Sequence, residues 1–400
     1  MSESCLSRKR LDVVIVGAGP AGAWAAFNLA RRGCKVALIE KEALPRYKVC
    51  GGGLLHRAYV LIKDHVSVPV SRPVFGAELI FHDKKSRQQR YAVSHGHPLV
   101  YMTMRDQLDN AIVESATEAG VELYAPQSLK NLTREDGVWI VECDQIQFES
   151  RFVIAADGVR SGVKKILSLD MQRNSIPAIE LEVDVPSDVF QQYADHARFD
   201  VGCIDKGYGW VFPKRDHLSV GVLSTHRGAN VRQLLQRYLD IVLPEPSILH
   251  MKRYGFVIPN RPMQTLLAQD GVLFVGDAAG LADPLTAEGL SHALMSGQFA
   301  AQAITESASE ASPRTAGSRY PETRYQSLIE ENILSELRIA SRLAGFLYSE
   351  SYLQQLFLSR AGQGFCNTLG AIIRGEARYR EILTQPGNYL KLLKKLSVAA

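Results

Sequence analysis

The six cysteines of this sequence, Cys5, Cys34, Cys50, Cys143, Cys203 and Cys366, form no CxxC pair and have no metal-ligand spacing. That argues against zinc ribbons and disulfide frameworks, and fits reduced thiols. No apolar run approaches the about 20 residues that a membrane-spanning helix needs. There is no P-loop, no nucleophile elbow and no interleaved basic and aromatic stripe of the kind that binds nucleic acid. One sign of charge hardly dominates: the formal net charge is +4, and residues 371–400 carry six Lys/Arg against Glu376 and Glu381, leaving the rest close to neutral. His95-Gly96-His97 has no third ligand nearby in sequence, so no metal site is expected.

What is present begins at Val13-Val14-Ile15-Val16-Gly17-Ala18-Gly19-Pro20-Ala21-Gly22, an apolar strand running into spaced glycines. Gly17, Gly19 and Gly22 allow a tight turn, a close backbone approach to a pyrophosphate and tight packing of the next helix, whose N–H groups point at the phosphates. A second strand, Val36-Ala37-Leu38-Ile39, ends in Glu40, 18 residues past Gly22. A carboxylate there accepts a ribose hydroxyl. The pattern predicts dinucleotide binding, with Lys41 beside the ribose carboxylate.

At 400 residues the chain exceeds one typical core. Leu11 to Glu40 reads strand, helix, strand, which opens a parallel sheet. Glu42 to Arg57 reads as an ordered loop, Ala77 to Val93 as short strands, and Met104 to Ala119 as a helix. Residues 176–258 alternate β-rich segments with a helix near Val231 to Val242, and Gly271 to Asp277 returns to the nucleotide sheet. The expected division is a discontinuous nucleotide domain over 1–75, 100–165 and 265–306, a substrate domain over 76–99 and 166–264, and a helical region over 307–400. Ser307 to Ser318 reads as a linker. Tyr389 to Leu396 separates leucines from lysines at helical spacing, as an interfacial helix does, although a docking helix with a solvated face reads the same. The expected location is cytoplasmic, with peripheral membrane contact through that basic helix as the variant.

Gly276-Asp277-Ala278-Ala279-Gly280 follows an apolar strand, so Asp277 is suited to bind a second sugar chain. With Arg105 at a helix start and Ala155-Ala156-Asp157-Gly158, these stretches resemble the glutathione-reductase-like FAD domain. The resemblance implies an α/β fold: a Rossmann-like FAD-binding domain with an interleaved β-rich substrate domain and a C-terminal helical region. No second GxGxxG and no Cys-x4-Cys pair are present. Hence a nicotinamide donor visits the flavin transiently, or an electron carrier replaces it.

Pro45-Arg46-Tyr47-Lys48-Val49-Cys50-Gly51-Gly52-Gly53-Leu54 predicts bare backbone close to an isoalloxazine ring. Cys50 then either contacts the ring or substrate, or fills space as a small buried residue. Gly207 to Pro213 sets Tyr208, Trp210 and Phe212 on one strand face, an aromatic wall for an apolar substrate or an ordinary core. Glu288, in Pro284 to Leu290, is the ionisable residue of a turn whose following helix N-terminus suits flavin N1 and C2=O; as a helix-start carboxylate it also needs no function.

Together with Gly375-Glu376-Ala377-Arg378-Tyr379-Arg380, these motifs resemble the geranylgeranyl reductase family over nearly the whole chain. The resemblance implies FAD-dependent saturation of prenyl double bonds, with electrons from NADPH or reduced ferredoxin. It implies flavin contacts at Ala21, Glu40, Cys50, Gly51, Gly53, Arg105, Ala125, Asp277, Gly289 and Leu290. Gly17, Gly19, Gly22, Lys41, Asp157 and Gly276 complete the expected cofactor set. Cys50, Tyr208 and Trp210 are the expected catalytic residues, and Tyr208, Trp210 and Phe212 the expected substrate wall. One departure stands out: the family's Gly-x-Gly is Gly221-Val222-Leu223 here, which narrows that space. A flavin monooxygenase acting on an aromatic or protein-bound substrate, and a flavin-binding electron-transfer protein, share the same nucleotide motifs.

Overall fold

A computed structural model describes residues 8–384 apart from 86, 170–174, 227, 245, 260–265, 310–319 and 350–351. The basic Tyr389 to Leu396 segment lies outside the described residues, as does most of the expected linker at 307–318. Among the described residues, no helix is long and apolar enough to cross a membrane.

The chain starts with β1 (Arg8–Val16), α1 (Pro20–Ala30) and β2 (Val36–Ile39). There follow β3 (Gly53–Leu55), α2 (His56–Ile62), β4 (Arg72–Val74), β5 (Gly76–His82), β6 (Gln88–Ser94) and β7 (Val100–Met102). Helix α3 (Arg105–Glu118) leads to β8 (Glu122–Tyr124), β9 (Leu129–Glu135), β10 (Val138–Cys143), β11 (Gln147–Ala155) and α4 (Gly162–Ile166). The next block is β12 (Ser175–Asp184), α5 (Ser187–Gln191), β13 (His196–Val201), β14 (Gly207–Pro213), β15 (Leu218–Ser224), α6 (Val231–Val242) and β16 (His250–Pro259). Strands β17 (Ala268–Gln269) and β18 (Val272–Phe274) precede α7 (Leu290–Ser309), α8 (Tyr320–Ile329), α9 (Ser335–Leu347), α10 (Tyr352–Arg374) and α11 (Tyr379–Thr384).

The first sheet runs β17-β18-β11-β1-β2-β8, with β1 parallel to both β2 and β11 and β11 parallel to β18. Parallel strands covered on both faces read as continuous apolar runs, and Val13, Val14 and Ile15 are fully buried. Two glycines set how closely α1 packs. A Cβ on Gly22 would lie 2.0 Å from the Gly17 carbonyl oxygen, and one on Gly297 of α7 would lie 2.3 Å from that of Ala21.

The second sheet runs β16-β12-β15-β14-β13-β5-β6. It is antiparallel except where β13 joins β5. Strand β5 is buried along its whole length, because both faces are covered. On one face Val211, Val220 and Val222 pack against Leu235, Tyr238 and Leu239 of α6. On the other face lies α10, seated on β6: a Cβ on Gly362 would meet the Tyr91 ring at 2.2 Å, and Gln363 donates to the Ala92 carbonyl at 2.8 Å.

Candidate flavin and substrate site

Helix α1 begins at Gly19 with Pro20 in its first turn and no side-chain cap, although Pro20, Ala21 and Gly22 are buried. A buried helix start with unpartnered N–H groups calls for a ligand, and an anion suits it. Glu40 fixes the loop beside it, accepting from the Ala18 N–H at 3.1 Å and the Glu42 N–H at 3.2 Å. Ala125 belongs to the stretch that brackets Glu40: the Glu40 N–H donates to Tyr124 O and the Gln127 N–H to Glu40 O. Lys41 points outward and pairs only loosely with Glu42, at 3.7 Å.

The segment after β2 is tied in both directions, which keeps a glycine-rich stretch in one shape. Arg46 bridges Glu40 at 3.2 Å and Asp109 at 3.2 Å. A Cβ on Gly19 would lie 3.7 Å from its guanidinium, so this cation stands over the phosphate end of the fingerprint. Asp109 in turn holds Arg105 through two hydrogen bonds of 2.8 and 3.0 Å. Arg105 is therefore already committed to an ion pair within the protein. On the other side Tyr47 donates to Glu182 at 3.3 Å and packs at a tilt against the Tyr254 ring, and the Lys48 ammonium sits 3.1 Å from the centre of the Phe256 ring. Burial pulls the Lys48 pKa down to about 8, and Arg105 pushes the same way, while Asp277 and Cys50 oppose it. Lys48 thus has Arg105, Asp277 and Asp109 as its charged neighbours.

Each glycine of the triplet has its own reason. Gly52 adopts φ +66°, and a Cβ there would lie 2.1 Å from Thr103 O and 2.3 Å from Lys214 Nζ. A Cβ on Gly51 would touch Phe212 at 3.0 Å and Trp210 at 3.4 Å; one on Gly53 would reach Val100 at 3.1 Å. Cys50 Sγ accepts from the Gly52 N–H at 3.4 Å and acts on the charge of Arg105.

Tyr208, Trp210 and Phe212 do share one face of β14, since Gly209 packs on Tyr238 of α6 and Val211 joins that opposite core. They do not share one task. Trp210 and Phe212 press on the backbone of Gly51, whereas Tyr208 lines a separate cavity. Across the sheet Trp210 pairs with Gly221, and Gly221 with Glu180. A Cβ on Gly221 would lie 2.2 Å from the indole, so the retained glycine is the floor on which Trp210 lies. Leu223, in place of the second glycine, pairs with Tyr208 and is buried in the same apolar cluster.

The late Gly-Asp forms a 3-10 turn, Gly276–Ala279, after β18. The Gly276 N–H donates to Ser296 Oγ at 2.9 Å. The Asp277 carboxylate has no hydrogen-bond partner among the described residues and lies 3.6 Å from where a Cβ of Gly289 would be. That leaves it open to a hydroxyl-rich ligand passing the start of α7, where Leu290 is buried. Asp157 accepts from the Val163 N–H at 3.0 Å; its second oxygen is buried without a partner, and burial raises its pKa. Glu288 is a helix-start carboxylate: it accepts from the Ser291 N–H at 2.6 Å and pairs with Arg57 at 2.9 Å.

The apolar cavity lies between β5, β13 and the helices α9 and α10, with a volume of about 70 Å³. Leu79, Val201, Leu285, Leu347, Leu369 and Ile373 form much of its wall. Three tyrosines close its polar end around the turn before α7. Tyr208 donates to Thr286 O, Tyr348 to Leu285 O, and Tyr379 to Asp283 at 2.9 Å. The Tyr208 hydroxyl is thus spent on holding this turn, and burial drives its pKa far above the ordinary phenol value.

Several participants were not foreseen from sequence: Arg46, Lys48, Lys214, Glu180 and Glu182. The last two had a readable signal, acids two apart in the apolar strand Ile179 to Val183, hence on one face.

A family model described as an FAD binding domain matches residues 10–326. The class is therefore that of FAD-dependent oxidoreductases, consistent with the uncapped α1 terminus, Glu40 and the open Asp277. A digeranylgeranylglycerophospholipid reductase of Methanothrix thermoacetophila is 30% identical over 344 residues, covering 82% of this chain and 86% of that protein. A geranylgeranyl bacteriochlorophyll reductase-like protein from Thermoplasma acidophilum superposes with a TM-score of 0.80 over 98% of this chain and 100% of that one, at 22% identity. A flavin-dependent brominase shares the fold with a TM-score of 0.70, at 18% identity. The chain belongs to the geranylgeranyl reductase family of flavoproteins.

Proposed function

We propose that this protein saturates carbon–carbon double bonds of a prenyl, geranylgeranyl-type chain, with electrons from NADPH or reduced ferredoxin. The observation that carries the reading is the cavity at Tyr208, walled by aliphatic side chains and joined to the turn at Leu285 and Thr286. Reduced FAD, when bound, would supply the hydride to one alkene carbon, and a proton from water or a nearby acid would complete the neighbouring carbon. Glu40, Arg46 and Asp277 would hold its sugar and phosphate chain, with Ala125, Gly289 and Leu290 beside it. Cys50, Gly51 and Gly53, with Trp210 and Phe212 behind them, form a stiff apolar wall at the reacting end. Isolated alkenes are poor hydride acceptors, so exclusion of water and placement at about 3–3.5 Å matter more than any one acid.

A cavity of about 70 Å³ is several times the about 10–15 Å³ that one water needs on this measure. It is still far below the about 300 Å³ of a typical ligand pocket. Binding a whole tail therefore requires α10 to move outward from β6. Extraction of purified holoprotein tests the reading: a co-purified isoprenoid is the expected result. An absence of isoprenoid, together with oxygen consumption driven by an aromatic or protein-bound compound, would replace it with a monooxygenase.

A further inference from the structure

The fold joins a pair of histidines to a carboxylate that is distant from them in sequence. His95 and His97, just after β6, and Glu376, just after α10, bring one donor atom each to within 4.8 Å of one another. The sequence offered no third ligand beside the histidine pair. The structure supplies it from just past the end of α10, the longest helix among the described residues.

The cluster has the internal order of a coordination site. His97 Nδ1 lies 3.3 Å from the Pro98 carbonyl oxygen. Donation to that acceptor leaves the Nε2 lone pair for a cation, the usual arrangement of a ligand histidine. His56 stacks on the His97 ring at 4.1 Å, and His95 meets it edge-on at 4.1 Å. Glu376 Oε2 accepts from Arg374 at 2.6 Å, so one carboxylate oxygen is oriented and the other is available. In a tetrahedral zinc site with bonds of about 2.0–2.2 Å, donors stand about 3.3–3.6 Å apart. Side-chain rotation of these partly exposed groups closes that difference.

We propose that His95, His97 and Glu376 bind a zinc-class divalent cation that clasps the end of α10 to the second sheet. Both arms border the apolar cavity: Val93 precedes His95 by two positions, and Ile373 precedes Glu376 by three. The clasp governs how readily α10 lifts from β6, a consequence that rests on the substrate reading above; the cation site itself does not.

The test uses the FAD-loaded full chain, treated with chelator and titrated with zinc chloride against a fluorescent zinc indicator. One equivalent binds at micromolar concentration or tighter, and His97→Ala, His95→Ala and Glu376→Gln each weaken it by about 10-fold or more. Unchanged FAD content reports intact folding, and Glu376→Gln, on the surface, guards against loss of fold in the histidine variants. His226→Ala, at an exposed histidine elsewhere, leaves binding unchanged. No zinc bound at micromolar concentration, or equal binding in the three ligand variants, overturns the site. Zinc also slows amide exchange across residues 352–374 in the wild type alone; binding without that protection overturns the clasp. Neither readout uses a prenyl substrate, so failure here is distinct from failure of the reductase reading.

Discussion

The carbonyl oxygen of Gly51 accepts a 2.6 Å hydrogen bond from the Lys214 ammonium, which is 1% exposed. The same ammonium donates to Thr103 O at 3.1 Å and faces Glu182 and Glu180. One buried lysine therefore joins the flavin-side loop, the start of α3 and the second sheet. Burial lowers its pKa while the two glutamates raise it.

Lys214→Met leaves the Gly51 and Thr103 carbonyls without their donor and takes away the positive charge that faces Glu182 and Glu180. Leaving a buried hydrogen-bonding group without its partner costs about 1–3 kcal/mol. Denaturation in urea should show that loss, and the purified variant should carry less flavin than the wild type. Lys214→Arg should not restore it, because the larger head would enter the space that Gly52 leaves empty.

Gly221→Val places a branched side chain where the Trp210 indole lies. The indole must leave the Gly51 backbone, and turnover should fall by about 10-fold or more, since misplacement near 1 Å costs up to about 100-fold. FAD content should stay close to wild type, because Gly17, Glu40 and Asp277 stand at strand ends of the first sheet, away from β14. Parallel measurement of bound flavin and turnover separates the two effects.

Glu180 carries a pH signature. Burial first, then the neighbouring Glu182, raises its pKa from the ordinary 4.5 to about 8, against the pull of Lys214 and Lys48. Between those values the folded chain keeps a proton that the unfolded chain has released, so this group's contribution makes stability fall as pH rises. Glu180→Gln removes that slope. Melting temperature should be a few degrees higher than wild type at pH 8 and unchanged at pH 5.

Glu40→Gln keeps an acceptor for the Ala18 N–H but removes the charge opposite Arg46. A hydrogen bond to a charged group is worth about 1.5–3 kcal/mol, which corresponds to about 10-fold to 100-fold in affinity. Calorimetric titration of apoprotein with FAD should show that weakening.

The nucleotide half was legible because its chemistry is local. Strand, glycines, helix and acid lie within Leu11 to Glu40, and the apolar run at Val13 to Val16 matches a strand buried on both faces. The helix near Val231 to Val242 was equally plain, since one apolar stripe and an Asn230 cap define it. The separate duties of Tyr208, Trp210 and Phe212 were not legible. Period-two spacing fixes a face but not what each ring meets, and it was Gly51 and α10, far away in sequence, that divided them. The role of Lys214 was not legible either, because nothing local marks a lysine after a proline as buried. Its partners at residues 51, 103, 180 and 182 meet only in the fold.

The most direct test is anaerobic incubation of the chemically reduced holoenzyme with a geranylgeranyl lipid or diphosphate, followed by mass spectrometry of the product. The account predicts a gain of two hydrogens for each double bond reduced, abolished by Ile373→Trp, which fills the cavity while the flavin stays bound. An unchanged mass for every prenyl compound offered to flavin-replete, reduced protein would contradict it.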